Sequence, residues 1–175
     1  MESALKLEKE AARDVARLML AAARTAPKTR GIDNIETVLI DDAAIIEKLT
    51  EKMKVLAKSN SRPSMERDAN SMVGIPAVVV IGVRSNPAGL DCGFCGYPTC
   101  EELKDKAGVC SYNSIDLGIA SASAASIAGS FHIDNRVMYS VGKAALALGL
   151  FSKDVKQALG IPLSVTGKNP FFDRK

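Results

Sequence analysis

The chain has 175 residues, of which 47% are hydrophobic and 25% charged, a composition typical of one folded globular domain rather than of a disordered or fibrous chain. Its 23 basic and 20 acidic residues are mixed along the sequence and give a formal net charge of +3, so we expect no nucleic-acid binding. The longest apolar run, residues 75–83, is less than half the roughly 20 residues that cross a bilayer. We therefore expect no membrane insertion and, since no secretory signal opens the chain, a cytoplasmic protein.

The first part of the chain predicts a helix, a strand and a second helix. Ser3 can cap a helix that continues to about Arg24, where an Ala-Pro pair stops it. The β-branched run at residues 36–40 predicts a short strand. Asp42 then precedes an apolar stripe at helical spacing. Residues 59–70 are polar and contain a proline, so we expect a loop or an irregular segment there.

A central strand and a buried helix are predicted in the middle of the chain. Residues 77–81 show no polar alternation, which indicates a strand covered on both faces in a layered α/β or α+β domain. Residues 114–130 are dominated by alanine, serine and glycine, and these small side chains favour a tightly packed helix. The cysteine-containing segment lies between these two elements.

Two more helices and a strand are predicted towards the end of the chain. Asp134 can cap a helix that Gly149 ends. Ser152 can start a short last helix, and the glycine and proline at positions 160 and 162 would terminate it. We expect the final strand at residues 163–166.

All four cysteines of the chain fall within a window of 19 residues, at Cys92, Cys95, Cys100 and Cys110. Cytoplasmic thiols stay reduced, so the cluster favours metal ligands or redox groups over a disulfide framework. Gly93 and Gly96 each follow a cysteine directly. Glycine allows such a loop to wrap around a metal–sulfur cluster and to direct its N–H groups at the cluster sulfurs.

The spacing of the cysteines distinguishes between two kinds of metal centre. Four thiolates suit tetrahedral zinc by ligand type, but zinc sites usually contain two separated C-x2-C pairs. Here one C-x2-C pair is followed by a third cysteine after four residues and by a lone fourth after nine. This pattern favours a [4Fe-4S] cluster with all four cysteines as ligands, and leaves a structural zinc as the alternative.

Residues 92–100 carry a first resemblance to known proteins. The run Cys-Gly-Phe-Cys-Gly-Tyr-Pro-Thr-Cys resembles the [4Fe-4S] segment of corrinoid iron–sulfur proteins and of the B-type subunits of Rnf electron-transport complexes. In those proteins C-G-x-C-G-x-x-x-C is followed by a fourth cysteine. The resemblance implies that Cys92, Cys95 and Cys100 are cluster ligands. Cys110 follows a shorter gap than in that pattern and is the expected fourth ligand.

The chain as a whole is similar to a family of prokaryotic proteins of unknown function described as containing a ferredoxin domain. The similarity rests on Asp-Asn-Arg-Val-Met-Tyr at residues 134–139 and on Gly-Lys-Asn-Pro-Phe-Phe-Asp-Arg at residues 167–174. Membership in such a family implies a cofactor, an iron–sulfur cluster, without naming a reaction.

A further resemblance is to the nitroreductase-like flavoproteins, through residues 22–27, 75–80, 148–150 and 159–162. It implies an α+β layered fold, in which helices cover a central sheet. The chain would then be a single domain over residues 1–175, with residues 91–110 as an inserted [4Fe-4S]-binding loop. The resemblance also implies a homodimer that binds FMN at the subunit interface.

Two basic residues are candidates for contact with a phosphate. Lys28 and Arg30 lie in the loop before Gly31 and can hold a phosphate, including that of a flavin, or an acidic partner. A solvated basic loop is the alternative interpretation of this pair.

These observations predict a [4Fe-4S] electron-transfer protein with an unidentified redox partner. Two alternatives stay open. An FMN-dependent reductase with an auxiliary cluster would make the protein an oxidoreductase. A zinc-stabilised binding module would be non-catalytic.

Overall fold

A four-stranded antiparallel sheet lies between two layers of helices in the computed structural model, which describes residues 2–172. The strands are β1 (Ile35–Ile40), β2 (Ala77–Arg84), β3 (Asp134–Asn135) and β4 (Val155–Ser164), and their order in the sheet is β1-β2-β4-β3. The helices are α1 (Ala4–Thr25), α2 (Ala43–Ser59), α3 (Pro63–Asn70), α4 (Cys100–Asp105), α5 (Ser111–Ser130) and α6 (Tyr139–Ala147), with a short 3₁₀ turn at Thr29–Gly31. Asp173 and Arg174, which close one of the family-like stretches, lie outside the described residues.

Each face of the sheet has its own hydrophobic core. Helices α1 and α5 cover one face, where Met19 packs with Val79 of β2. Helices α2, α3 and α6 cover the other face, where Leu49 packs with Val80. Because successive residues of β2 point to opposite faces and both faces are covered, this strand is buried from Ala77 to Val83. The prediction of a central strand in a layered α+β fold is therefore confirmed.

The helices with clear capping residues occur where they are predicted. The Ser3 hydroxyl accepts a hydrogen bond from the N–H of Lys6 at the start of α1. The Asp42 carboxylate accepts from the N–H groups of Ala44 and Ile45 and starts α2. Both caps satisfy backbone donors that the first turn of a helix leaves unpaired.

The expectation of an irregular segment at residues 59–70 is wrong, because helix α3 forms there. Its proline, Pro63, occupies the first turn, where a helix needs no N–H donor. Met65 and Ala69 are buried against the neighbouring helices, and the buried Asp68 carboxylate accepts a hydrogen bond from the hydroxyl of Ser140 in α6 at 2.7 Å. Tertiary burial stabilises this helix more than its composition suggests.

Asp134 does not cap a helix. It belongs to β3, pairs with Ser164, and accepts a hydrogen bond from the amide of Asn169 at 2.9 Å. The following helix, α6, begins only at Tyr139, after Met138 has formed an isolated bridge with Gly160. Sheet pairing therefore delays the helix by four residues, from a cap at Asp134 to one at Met138, while its end before Gly149 agrees with the prediction.

The short last helix predicted from Ser152 is also wrong, because Val155–Ser164 forms strand β4 beside β2. Gly160 belongs in this strand because the side chain of Val141 occupies the space that a Cβ atom would need. Pro162 is tolerated because its missing N–H faces the edge covered only by the two-residue strand β3 and the isolated bridge.

Among residues 2–172, none of the helices is sufficiently long and apolar to cross a membrane.

Candidate metal centre

All four cysteines line a single small cavity at one end of the sheet, with a volume of about 10 Å³, which is room for about one water molecule. The cysteine segment leaves the carboxyl end of β2, forms α4, and enters α5. Cys92 is exposed, Cys95 and Cys100 are half-buried, and Cys110 is buried at the floor of the segment; all four are free thiols. The fold therefore gathers at one place the residues that the sequence analysis singled out as ligands.

Local backbone geometry shapes the cavity wall. Gly93 and Gly96 have φ angles of 73° and 85°, in the left-handed region that favours glycine. A hydrogen bond from the N–H of Gly96 to the carbonyl of Gly93 closes this turn at 2.9 Å. The Asp91 carboxylate accepts the N–H of Cys100 at 2.6 Å and so holds the third cysteine near the first.

The cysteine segment contacts the start of α5. The rings of Phe94 and Tyr112 stack with their centroids 5.7 Å apart and their planes 15° from parallel. The hydroxyl of Ser111 donates to the carbonyl of Phe94 at 2.9 Å. Cys110 is the N-cap residue of α5, and no side chain caps that helix, so its first N–H groups remain available to an anionic ligand.

The four thiols lie near one another but do not form a converged set of metal ligands. In a tetrahedral zinc site each sulfur lies about 2.3 Å from the metal, so the four sulfurs must converge closely. Among residues 2–172, no three histidine, cysteine, aspartate or glutamate side chains converge in that way. The four thiols line one small cavity, and by ligand type they suit either an iron–sulfur cluster or a tetrahedral zinc ion.

The two basic candidates take different places. The Lys28 ammonium donates to the carbonyls of Ala23, at 2.9 Å, and Arg24 at the end of α1, and burial lowers the pKa of Lys28. The Arg30 guanidinium donates to the carbonyl of Ala88 at 2.8 Å, and Ala88 lines the cysteine cavity. The structure thus brings Arg30, but not Lys28, to the cysteine segment; their role towards a phosphate or flavin stays a prediction.

Two polar residues of α5 that the sequence analysis did not single out hold the segment in place. Asn113 binds the backbone of Asn86, in the loop that leads to the first cysteine. The buried Asp116 carboxylate accepts from both the N–H and the hydroxyl of Thr29, at 3.0 and 2.9 Å, and so fixes the 3₁₀ turn that carries Arg30. The sequence feature that could have identified them is the presence of an amide and a carboxylate side chain in a helix that otherwise consists mainly of small and apolar residues.

Comparison with known sequences agrees with the family resemblance. Residues 106–174 match the family described as "Uncharacterized protein containing a ferredoxin domain". A protein of Archaeoglobus fulgidus, named only as an uncharacterized protein, is 38% identical over 94% of this chain and 92% of its own length. The ferredoxin domain in the family's description implies an iron–sulfur cofactor. The likeness of residues 92–100 to corrinoid iron–sulfur and Rnf segments stays a prediction.

Comparison with solved structures confirms the nitroreductase-like fold. A nitroreductase with bound FMN from Desulfitobacterium hafniense DCB-2 superposes with a TM-score of 0.62 at 16% identity, over 96% of this chain and 80% of that one. A BluB-like flavoprotein from Clostridium difficile 630 has a TM-score of 0.60 at 17% identity, over 89% and 81%. At these identities the comparison establishes the shared architecture alone.

Proposed function

This chain belongs to the family of uncharacterised proteins that contain a ferredoxin domain, and from that premise we propose that it binds one [4Fe-4S] cluster and transfers single electrons. Its ligands in this proposal are the four cysteines, Cys92, Cys95, Cys100 and Cys110. The observation that carries the proposal is their common cavity, which the chain closes although the first and the last cysteine lie at opposite ends of a 19-residue segment. The cytoplasm, where thiols stay reduced, is the compartment we propose for it.

When bound, such a cluster supplies one-electron redox chemistry at a potential set by hydrogen bonding, burial and local charge. The four thiols give up their protons on binding. The first N–H groups of α5, which no side chain caps, lie beside Cys110 and can donate to an anionic cluster. The rings of Tyr97 and Tyr112 line the cavity, while the exposed Cys92 keeps it accessible to solvent. In this interpretation residues 91–110 are a cofactor-binding loop inserted into a single-domain scaffold.

Metal analysis after anaerobic purification tests the proposal directly. We expect about four irons and four sulfides per chain and a broad visible absorption that bleaches on reduction. Zinc in a one-to-one ratio with the chain, without iron, contradicts the cluster and identifies the alternative, a zinc-stabilised module.

A ligand substitution separates the redox role from a structural one. We expect Cys95→Ser to lose most of the bound iron and to keep the melting temperature of the scaffold within a few degrees, because Cys95 lies outside both hydrophobic cores. Ser114→Ala is the control, since Ser114 lies at the start of α5 but does not line the cavity. Collapse of the fold with the loss of Cys95 indicates a structural centre instead.

An FMN-dependent reductase is the second candidate, and it would make the protein an oxidoreductase. It is favoured by the fold shared with a nitroreductase that has bound FMN. In this candidate Arg30 or Lys28 contacts the flavin phosphate and exchanges its present carbonyl partners for it. Acid release of FMN from the purified protein, or saturable FMN uptake during a titration, supports the reductase. If neither is observed, the reductase is excluded.

We also propose that the protein is a homodimer in which a second copy covers the exposed face of α5. This face presents Ile115, Gly118, Ile119 and Ala122, and no charged side chain. Small residues allow two such helices to approach closely, and the apolar stripe is the composition expected of a buried surface rather than of a solvated helix face.

A further inference from the structure

A groove lined by lysines runs beside the cysteine cavity. Its volume is about 500 Å³, and three segments form it: the loop after β2, the turn after α4, and the start of β4. Its charged residues are Lys104, Lys153 and Lys156 together with Asp154. All four side chains are exposed, so the groove presents a surface to a partner rather than an enclosed ligand site.

The groove and the cysteine cavity share a wall. The turn at Ala107 and Gly108 lines the groove, while the ring of Tyr97, which lines the cavity, lies against Gly108. Lys104 follows Cys100 by four residues and therefore lies on the same side of α4. A macromolecule seated in the groove is thus separated from the cysteine segment by a single turn of chain.

Charge determines the kind of partner that fits. Three lysines against one aspartate leave a net charge of +2 among the lining residues. The Ser152 hydroxyl shares its single proton between the carboxylates of Glu36 and Asp154. It lies 2.6 Å from Asp154 and lowers the pKa of Asp154, so this carboxylate is ionised at neutral pH. The lysines are therefore the groups that can pair with negative charge on a partner. Lys156 also donates a hydrogen bond to the carbonyl of Lys153 at 3.2 Å.

We infer that this groove is the docking surface for a small acidic electron-carrier protein, an inference that rests on the proposed redox function. Exposed charges of this kind guide association and fix orientation more than they raise affinity. A cluster with four thiolates carries net negative charge, which would repel an acidic carrier, and the lysines beside the shared wall offset that repulsion. The groove therefore places positive charge, complementary to an acidic carrier, beside the cysteine segment that the carrier must approach.

Binding of an acidic flavodoxin, used as the probe, tests the inference. Fluorescence anisotropy of the labelled flavodoxin gives its dissociation constant for the holo protein at low and at high salt. We expect salt to weaken binding about tenfold or more, and the double substitution Lys153→Glu and Lys156→Glu to weaken it by a similar factor at low salt. The neutral pair Lys153→Gln and Lys156→Gln is expected to give a smaller loss in the same direction.

The matched control is Lys48→Glu with Lys58→Glu, an identical change of net charge on exposed positions of α2. We expect these substitutions to leave the dissociation constant within about twofold, since α2 packs with α3 and α6 and does not line the groove. Equal losses for both pairs, or no effect of salt, overturn the inference. Stoichiometric binding of pyrophosphate that excludes flavodoxin also overturns it, because the groove is then a small-anion site.

Iron and sulfide analysis of the same preparations keeps the two proposals apart. Flavodoxin binding that depends on the groove lysines, in a protein that takes up no cluster, contradicts the proposed redox function but supports docking of an acidic protein. If the protein holds a complete cluster and the lysine substitutions do not change flavodoxin binding, the proposed docking surface is wrong and the proposed redox function stands.

Discussion

Asn113 of α5 and Asn86 of the loop after β2 form a reciprocal pair of hydrogen bonds. The side-chain oxygen of Asn113 accepts the N–H of Asn86 at 3.1 Å, and its side-chain nitrogen donates to the carbonyl of Asn86 at 3.0 Å. One partner precedes Cys92 by six residues and the other follows Cys110 by three. The pair therefore closes the cysteine segment at its base, and its burial protects both bonds from competition with water.

Replacing the side-chain amide of Asn113 should destabilise the protein and also weaken its retention of the cofactor. We expect Asn113→Ala to lower the free energy of unfolding by about 1–3 kcal/mol, because two backbone groups of Asn86 lose their partners. Denaturant unfolding measures the change, and iron content after dialysis measures retention of the cofactor. Lys48→Ala, at an exposed position of α2, is the control and should be nearly neutral. Equal stability of both variants contradicts this role of Asn113.

Glu36 of β1 connects the ends of neighbouring strands. Its carboxylate accepts the hydroxyl of Ser152 and, at 3.2 Å, the N–H of Ser152, and the guanidinium of Arg84 lies 3.3 Å away. The hydrogen bond from the Ser152 hydroxyl lowers the pKa of Glu36 below its usual value. A carboxylate of this kind stabilises the fold above its unfolded pKa of about 4.3, and the contribution is lost as pH falls from there through the folded pKa.

We expect Glu36→Gln to cost about 1 kcal/mol at neutral pH and progressively less as pH falls below 4, since the wild type loses the same interaction by protonation. Denaturant unfolding at a series of pH values measures the difference. Glu47→Gln, on the exposed surface of α2, is the control for removal of a charge. A difference between wild type and Glu36→Gln that stays constant down to pH 3 argues against the linkage.

The elements that sequence predicts well are those whose causes are local. Ser3 and Asp42 cap the helices that follow them, and the uninterrupted apolar run of β2 indicates a strand buried on both faces. Cysteine spacing likewise anticipates a common cavity, because a loop of this length can close on itself. The errors concern contacts between distant segments. Pro162 is predicted to end a helix, but it lies within β4, where its missing N–H faces the sheet edge that is covered only by β3 and the isolated bridge.

The contacts that hold the candidate site show the same limit. Nothing near Arg30 in the sequence indicates that its guanidinium binds the carbonyl of Ala88, 58 residues away. The partner of Asp116 is likewise 87 residues distant. Such pairs depend on the packing of α1 and α5 against one face of the sheet, which local periodicity does not determine.

Close approach of α6 to β4 requires glycine at Gly142. A Cβ atom there would lie 1.9 Å from the carbonyl oxygen of Ala158, which belongs to the backbone of the strand and cannot rotate away. We expect Gly142→Ala to lower the free energy of unfolding by about 3 kcal/mol, through displacement of the helix from the sheet. Thermal unfolding measures this loss of stability. Gly129→Ala, at a helical glycine with nothing within 4 Å, should be neutral or slightly stabilising; similar losses for both would contradict this explanation.

The proposed dimer predicts the effect of a charge on the exposed face of α5. Ile115 is 44% exposed on that face, and burying an unpaired carboxylate between two copies costs several kcal/mol. We expect Ile115→Asp to raise the dissociation constant of the dimer on the order of 100-fold or more and to leave the fold intact. Sedimentation equilibrium measures the constant, with Val55→Asp on exposed α2 as the control. A monomeric wild type, or a dimer that tolerates the charge at Ile115, shows that a second copy does not cover this face.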